Sequence, residues 1–309
     1  MDSKKNVFLT IDAGGTFLKS ALLDGEGEVI TDSAYVTKSF SDGSREKILG
    51  AIREIILKGL EMVQMKGFKA GGVGIAFPGP FDYPHATPLM EHKFKNIYGV
   101  NLLDEIQDIP GISRDIPVRF IHDSTAVLAG EIWKGNAMGY HNASVVTLGT
   151  GLGFAFSQNG VIQLNSLGGP LIPVYKIPCR DGILEDFVSK RGLLRLYREI
   201  SGKEERDKIK VSDIGEWADH GDEASVFTFR EAARILAESL QELISGKEIN
   251  CILFGGQISR SFHHMEAVLK QEWQKIDCLK KVSVVNSIEN SAMLGILHSV
   301  MCPGEFVME

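Results

Sequence analysis

The amino-acid sequence predicts a duplicated α/β protein: two β-β-β-α-β units, each with a glycine-rich turn inside its first hairpin. Three observations carry that prediction. Short apolar runs alternate with stretches of helical spacing along the whole chain of 309 residues. Glycine turns follow the first strand of each unit, at AGGT (13–16) and GTG (149–151). The second unit repeats the element order of the first by pattern, not by identity.

Taken in order, Val7–Ile11 reads as a buried strand, AGGT as the turn and FLKSALLD (17–24) as the returning strand. Asp24, Gly25 and Gly27 turn the chain into a third strand, EVITDSAYV (28–36). Ile48, Ile52, Ile55, Ile56 and Leu60 recur at helical spacing within 44–66. GGVGIAFPGPFD (71–82) then reads as a buried strand running into a Pro-Gly-Pro loop. The second unit opens with ASVVTL (143–148), turns at GTG and returns as LGFAFSQ (152–158), with a short third strand after Asn159-Gly160. Helices are expected over 183–200 and 222–246, then the apolar strand CILF (251–254), a glycine pair and a helix over 259–273. Between the units, VRFIHD (118–123) reads as a strand and 124–136 as a helix capped by Ser124 or Asp123. The main boundary is expected within 114–121, giving domains 1–118 and 119–289, with a last helix at about 290–309 returning to the first domain. Facing copies of such units would leave an interdomain cleft, the usual place for a ligand.

Composition narrows the function class. Lys and Arg number 33 against 40 Asp and Glu, a net charge of −7, which argues against a nucleic-acid surface. Phosphate groups remain acceptable ligands, because backbone N–H groups and Mg²⁺ can hold them. No segment approaches the roughly 18 uninterrupted apolar residues of a membrane span. The apolar run after MDSKKN is too short for a secretory signal and reads as the first strand, so a cytoplasmic location is expected. Cys179, Cys251, Cys278 and Cys302 lie far apart and fit reduced, packed thiols. The charged run 202–210 reads as a solvated helix end or loop.

Three glycine turns carry chemistry. In DAGGTFLK, Gly14 and Gly15 let backbone N–H groups approach a phosphate closely. Thr16 adds a hydroxyl, Lys19 a cation, and Asp12 a carboxylate able to hold hydrated Mg²⁺. TLGTGLGFA places Gly149, Thr150 and Gly151 at a second hairpin tip; neither a dinucleotide fingerprint nor a P-loop spacing is met. ILFGGQIS joins a buried strand to a helix start through Gly255 and Gly256, a turn against which a flat ring or ribose can lie. Each turn alone could be an ordinary loop.

Together these segments resemble the phosphate-1, phosphate-2 and adenosine motifs of the actin/hexokinase/Hsp70 superfamily. GIAFPGPFD, HDSTAVLAGE and GILEDFVSKRGL further resemble the ROK family of bacterial sugar kinases and repressors, and the matches span about residues 7 to 300. The resemblance implies a two-domain ribonuclease-H-like (actin-like ATPase) fold that binds ATP, Mg²⁺ and a hexose-type sugar. ROK repressors carry an N-terminal DNA-binding segment; the phosphate turn here begins at residue 12, which favours the kinase branch and no nucleic-acid partner.

On that resemblance Asp123 is the general base that accepts the proton of a sugar hydroxyl; the plain alternative is a helix cap. Gly79 and Glu185 fall at sugar-side positions, and His122 replaces the usual Asn. The family's Glu-x-Gly-His segment and cysteine cluster are lost: Asn165 and Ser166 lie in NSLGGP and only Cys179 remains, so no structural zinc is expected. Asn165 and Ser166 either replace the missing hydrogen bonds or form a surface turn. The reading is thus an ATP- and Mg-dependent hexose or hexosamine kinase. Its alternatives are a catalytically silent sugar-binding regulator and a polyphosphate-dependent glucokinase. The sugar, its hydroxyl and the oligomer stay open, a homodimer among the candidates.

Overall fold

In the computed structural model, residues 5–203 and 208–306 are described. Parts of three expectations, the chain start, the charged run 202–210 and the end of the last helix, lie outside them. The chain divides into two units: Met1–Lys134 with Leu164–Leu171 and Glu289–Glu309, and Gly135–Gln163 with Ile172–Ile288.

Unit 1 begins with β1 (Asn6–Ala13), β2 (Phe17–Asp24), β3 (Tyr35–Lys38), α1 (Arg45–Met65) and β4 (Lys69–Phe77). A small hairpin, β5 (Phe81–Asp82) and β6 (Thr87–Pro88), and α2 (Leu102–Gln107) follow, then β7 (Val118–His122) and α3 (Asp123–Lys134). The sheet order is β3-β2-β1-β4-β7. β1 and β2 pair antiparallel, while β4 lies parallel to both β1 and β7. Ile48, Ile52, Ile55 and Ile56 of α1 are buried with Leu9, Ile11 and Val73, as the 3.6-residue spacing requires. The third strand is shorter than expected. Only Val29 bridges back to Leu23 before Asp32 turns left-handed at φ 53°, so pairing resumes at Tyr35.

Unit 2 holds β8 (Ala143–Leu148), β9 (Leu152–Gln158), β10 (Val161–Ile162), β11 (Pro178–Cys179) and β12 (Gly182–Ile183). It continues with α4 (Glu185–Val188), α5 (Lys190–Ser201), α6 (Val211–Asp219), α7 (Glu223–Gly246), β13 (Cys251–Gly255), α8 (Glu266–Glu272) and β14 (Lys281–Val284). The order β10-β9-β8-β13-β14, with an antiparallel β8–β9 and parallel β13 partners, repeats that of unit 1. The expected helix over 183–200 breaks at Ser189, whose extended backbone (ψ 174°) lets the Lys190 N–H reach the Gly149 carbonyl at 2.8 Å. The helix expected over 259–273 begins instead as a 3₁₀ segment, Gln257–His264, before α8.

The chain then closes unit 1 with α9 (Ser291–Met301), which packs on α3. Gly130 and Gly295 permit that approach: a Cβ on Gly295 would stand 1.7 Å from the Ala126 carbonyl oxygen. Because β7 pairs with β4 and α3 meets α9, residues 119–134 group with the first sheet, whereas the sequence places the division at 118–119.

Candidate active site

The β1–β2 tip of unit 1 carries the first charged group. Ala13 pairs with Leu18, leaving Gly14 to Phe17 as the turn, closed by Gly14 N–H to the Phe17 carbonyl at 2.9 Å. Ser41 Oγ donates to the Gly15 carbonyl at 2.5 Å and Ser39 N–H to the Thr16 carbonyl at 3.1 Å. Among the described residues no acceptor takes the Gly15 and Thr16 N–H groups, the arrangement expected of an anion-binding turn. Asp12 and Lys19 face each other across the two strands just below it. The Asp12 carboxyl is pushed up to about 6 by burial and the nearby Asp123 charge, with Lys19 opposing.

Asp123 stands where β7 ends and α3 begins, so its carboxylate meets the positive end of a helix. Ser124 N–H donates to its Oδ1 at 2.6 Å, and His122 Nδ1 lies 2.9 Å from the same oxygen. Packing around the carboxyl acts to raise its pKa; His122, the Ser124 N–H and Lys93 outweigh that and hold it below the usual range. Half of its side chain, 51 %, stays open to solvent, so the ionised oxygens can be reached by a ligand.

His122 is fixed from one side. Its Nδ1 also lies 2.9 Å from Ser124 Oγ and 3.2 Å from the Ser124 N–H. The opposite edge points at Gly79, whose Cβ, if present, would stand 3.5 Å from Nε2. Tyr83 packs edge-on to the same ring at 6.0 Å and donates from its hydroxyl to the Phe77 carbonyl at 2.7 Å. The unit 1 segment Leu164–Leu171 covers Tyr83: Tyr83 N–H donates to the Leu167 carbonyl, and Gly168 and Gly169 lie against its Cβ and ring. Asn165 holds this loop together, its Oδ1 accepting from Leu167 and Gly169 N–H and its Nδ2 donating to the Pro170 carbonyl. Ser166 is exposed on the loop.

Lys93 is the residue the sequence analysis missed. Its side chain lies over Gly15, with Nζ 3.1 Å from where a Cβ would stand, and its charge bears on Asp123. No motif marks it; the only local signal is the basic run His92-Lys93-Phe94-Lys95 after the Pro-Gly-Pro segment.

In unit 2, Leu148 pairs with Leu152, leaving Gly149, Thr150 and Gly151 as a tip closed by Gly149 N–H to the Gly151 carbonyl at 3.0 Å. Glu185 braces it: Oε2 accepts the Leu152 N–H at 2.8 Å and would sit 2.8 Å from a Cβ on Gly151. That contact gives Glu185 a place at the glycine turn of unit 2, whereas His122 and Asp123 belong to unit 1. Gly256 takes φ +81° and presses on the Leu148 backbone, where a Cβ would stand 2.3 Å from the carbonyl oxygen. The structure therefore brings Gly255–Gly256 to Gly149–Gly151 in unit 2, and Asp12, Gly14, Gly15, Lys19, Gly79, His122 and Asp123 together in unit 1.

Two sheets of like order, each with a glycine-tipped first hairpin, are the actin-like ATPase fold. Within that class the chain belongs to the ROK family, whose profile matches residues 8–295. It is 25% identical over 292 residues to a glucokinase of Halalkalibacterium halodurans, covering 86% of this chain and 85% of that protein. An N-acetyl-D-glucosamine kinase of Haemophilus influenzae is 24% identical over 290 residues, covering 85% and 88% of the two chains. A Streptomyces griseus ROK glucokinase, solved with glucose and AMPPNP, superposes with a TM-score of 0.74 at 22% identity, over 94% of this chain and 98% of that one. No helix among the described residues is long and apolar enough to cross a membrane.

Proposed function

We propose that the chain is an ATP-dependent kinase of a hexose or hexosamine, with Asp123 as general base. The observation that carries this is the pairing, within unit 1, of an open anion-binding turn with an ionised, solvent-accessible carboxylate. Asp123 takes the proton of the attacking hydroxyl and aims its oxygen. His122, anchored through Nδ1, presents its Nε2 edge beside Gly79 to a second hydroxyl. Lys19 and Lys93 offset the negative charge of a phosphoryl group over Gly14 to Thr16. In unit 2, Gly149 to Gly151, braced by Glu185, and Gly255–Gly256 hold the nucleotide.

Asp12 fits a hydrated Mg²⁺. It is a hard oxygen donor whose pKa is raised by burial and by the Asp123 charge, and a cation would relieve that repulsion. Bound there, Mg²⁺ would neutralise phosphate charge. ATP is preferred over polyphosphate because the Streptomyces griseus glucokinase named above was solved with AMPPNP, an ATP analogue. Sugar-dependent ADP release, measured over a panel of hexoses and hexosamines with Mg-ATP, tests the reading. Turnover with one of them is expected; sugar binding without turnover on any would favour the silent regulator.

A further inference from the structure

We propose that Asp219, His263 and His264 form a binding site for one divalent transition-metal ion of the zinc class. The three lie in unit 2, are none of the residues assigned above and are not the lost family segment on which the expectation of no structural zinc rested, and the proposal does not depend on the kinase reading. Asp219 is the last residue of α6, and the two histidines end the 3₁₀ segment Gln257–His264. Both rings turn the same atom, Nε2, to one carboxylate oxygen: His263 at 2.7 Å and His264 at 2.8 Å from Asp219 Oδ1.

Such convergence is what a metal needs and what hydrogen bonding alone does not require. A single carboxylate pairs well with one imidazole; here two rings stand 4.0 Å apart, centre to centre, over the same oxygen. All three ligand atoms lie within 4.8 Å of one another. Around a tetrahedral zinc, ligand atoms bound at about 2.0–2.1 Å stand roughly 3.3 Å apart, so entry asks the two contacts to open by only about half an ångström. Two imidazoles and a carboxylate suit zinc, copper, nickel or iron(II) over calcium or magnesium.

The ligands are also unequally held, as in a built site. His264 is only 13 % exposed and stacks on Phe229 at 5.8 Å, which fixes its ring. His263 and Asp219 are 57 % and 53 % exposed and leave the ion's remaining positions open to water. The α6 backbone and a side chain of the 3₁₀ segment already meet one turn earlier, where a Cβ on Gly215 would stand 2.6 Å from Ser261 Oγ. An ion would add a second tie between them. The 3₁₀ segment starts directly after Gly256, so the tie would stiffen the Gly255–Gly256 turn.

The test uses the whole chain freed of metal by chelation, titrated calorimetrically with Zn²⁺ and separately with Co²⁺. His263→Ala and Asp219→Ala remove exposed groups, and circular dichroism checks that both variants fold. Expected are one Zn²⁺ per wild-type chain, a rise in Tm on loading, and affinity at least about tenfold weaker in each variant. The Co²⁺ spectrum should show nitrogen and oxygen ligation only. Absence of binding, undiminished binding in the variants, or a thiolate-to-cobalt band pointing to His298–Cys302–Glu305 would overturn the assignment.

Discussion

The two glycine tips share a backbone plan and differ in charge. In unit 1 the pair facing across the strands below the tip is Asp12–Lys19, and Lys93 reaches in from a distant loop. In unit 2 the facing pair at the same level is Thr147–Gly153, and the supporting carboxylate, Glu185, is spent on the Leu152 N–H. The unit 2 tip is also shorter by one residue, three against four. One scaffold, used twice, thus carries a neutral tip, to which the proposed function gives nucleotide binding, and a charged tip, to which it gives the chemistry. The lesson is that one backbone plan can carry different chemistry, because the cross-strand pair beneath the turn sets its charge.

That contrast can be broken at its charged end first. Asp12→Asn should lower turnover by about 10²–10³, the scale of one lost electrostatic stabiliser, while raising stability. The sign follows from the pKa: raised in the fold to about 6, Asp12 favours the folded state when protonated and loses that contribution as pH rises through 6. The variant should therefore gain on the order of 2–3 kcal/mol above pH 6, seen as a higher Tm at pH 8. The gain should vanish below pH 4. An unchanged Tm at pH 8 would mean that neither burial nor the Asp123 charge disfavours the ionised Asp12.

Lys93→Met comes next, with a turnover loss of about 10². Because Lys93 helps hold the Asp123 carboxyl low, the acid limb of the kcat profile should also move to higher pH. A loss of turnover with an unmoved limb would leave Lys93 only a structural role at Gly15.

The neutral tip should respond differently. Glu185→Gln keeps an acceptor for the Leu152 N–H but removes its charge, at a cost of about 1 kcal/mol, or roughly fivefold in nucleotide affinity. Turnover at saturating nucleotide should stay within about twofold. Loss of turnover with intact nucleotide affinity would instead return Glu185 to the sugar.

Much of this was legible in the chain because it is local. Glycines next to a strand end declare a tip, and the 3.6-residue spacing of Ile48, Ile52, Ile55 and Ile56 declares a helix whose buried face the structure confirms. Asp123 was visible as the last polar residue of an apolar strand. The place of loop 164–171 was not, since nothing in NSLGGP says that it packs on Tyr83 within unit 1. Lys93 and the Asp219–His263–His264 cluster depend on contacts between segments remote in sequence, which no periodicity encodes. The break at Ser189 is of the same kind: a helical pattern yields to the Lys190 hydrogen bond that steadies the Gly149 turn.

The most direct measurement is made on Asp123→Asn, with turnover and calorimetric sugar affinity taken on the same preparation. Asn keeps the shape and still suits a helix start, so the fold and the sugar affinity should change little. It cannot accept the proton, so kcat should fall by about 10²–10⁴. A variant that binds sugar normally and turns over at the parent's rate would contradict the account, because the carboxylate would then be a helix cap and nothing more.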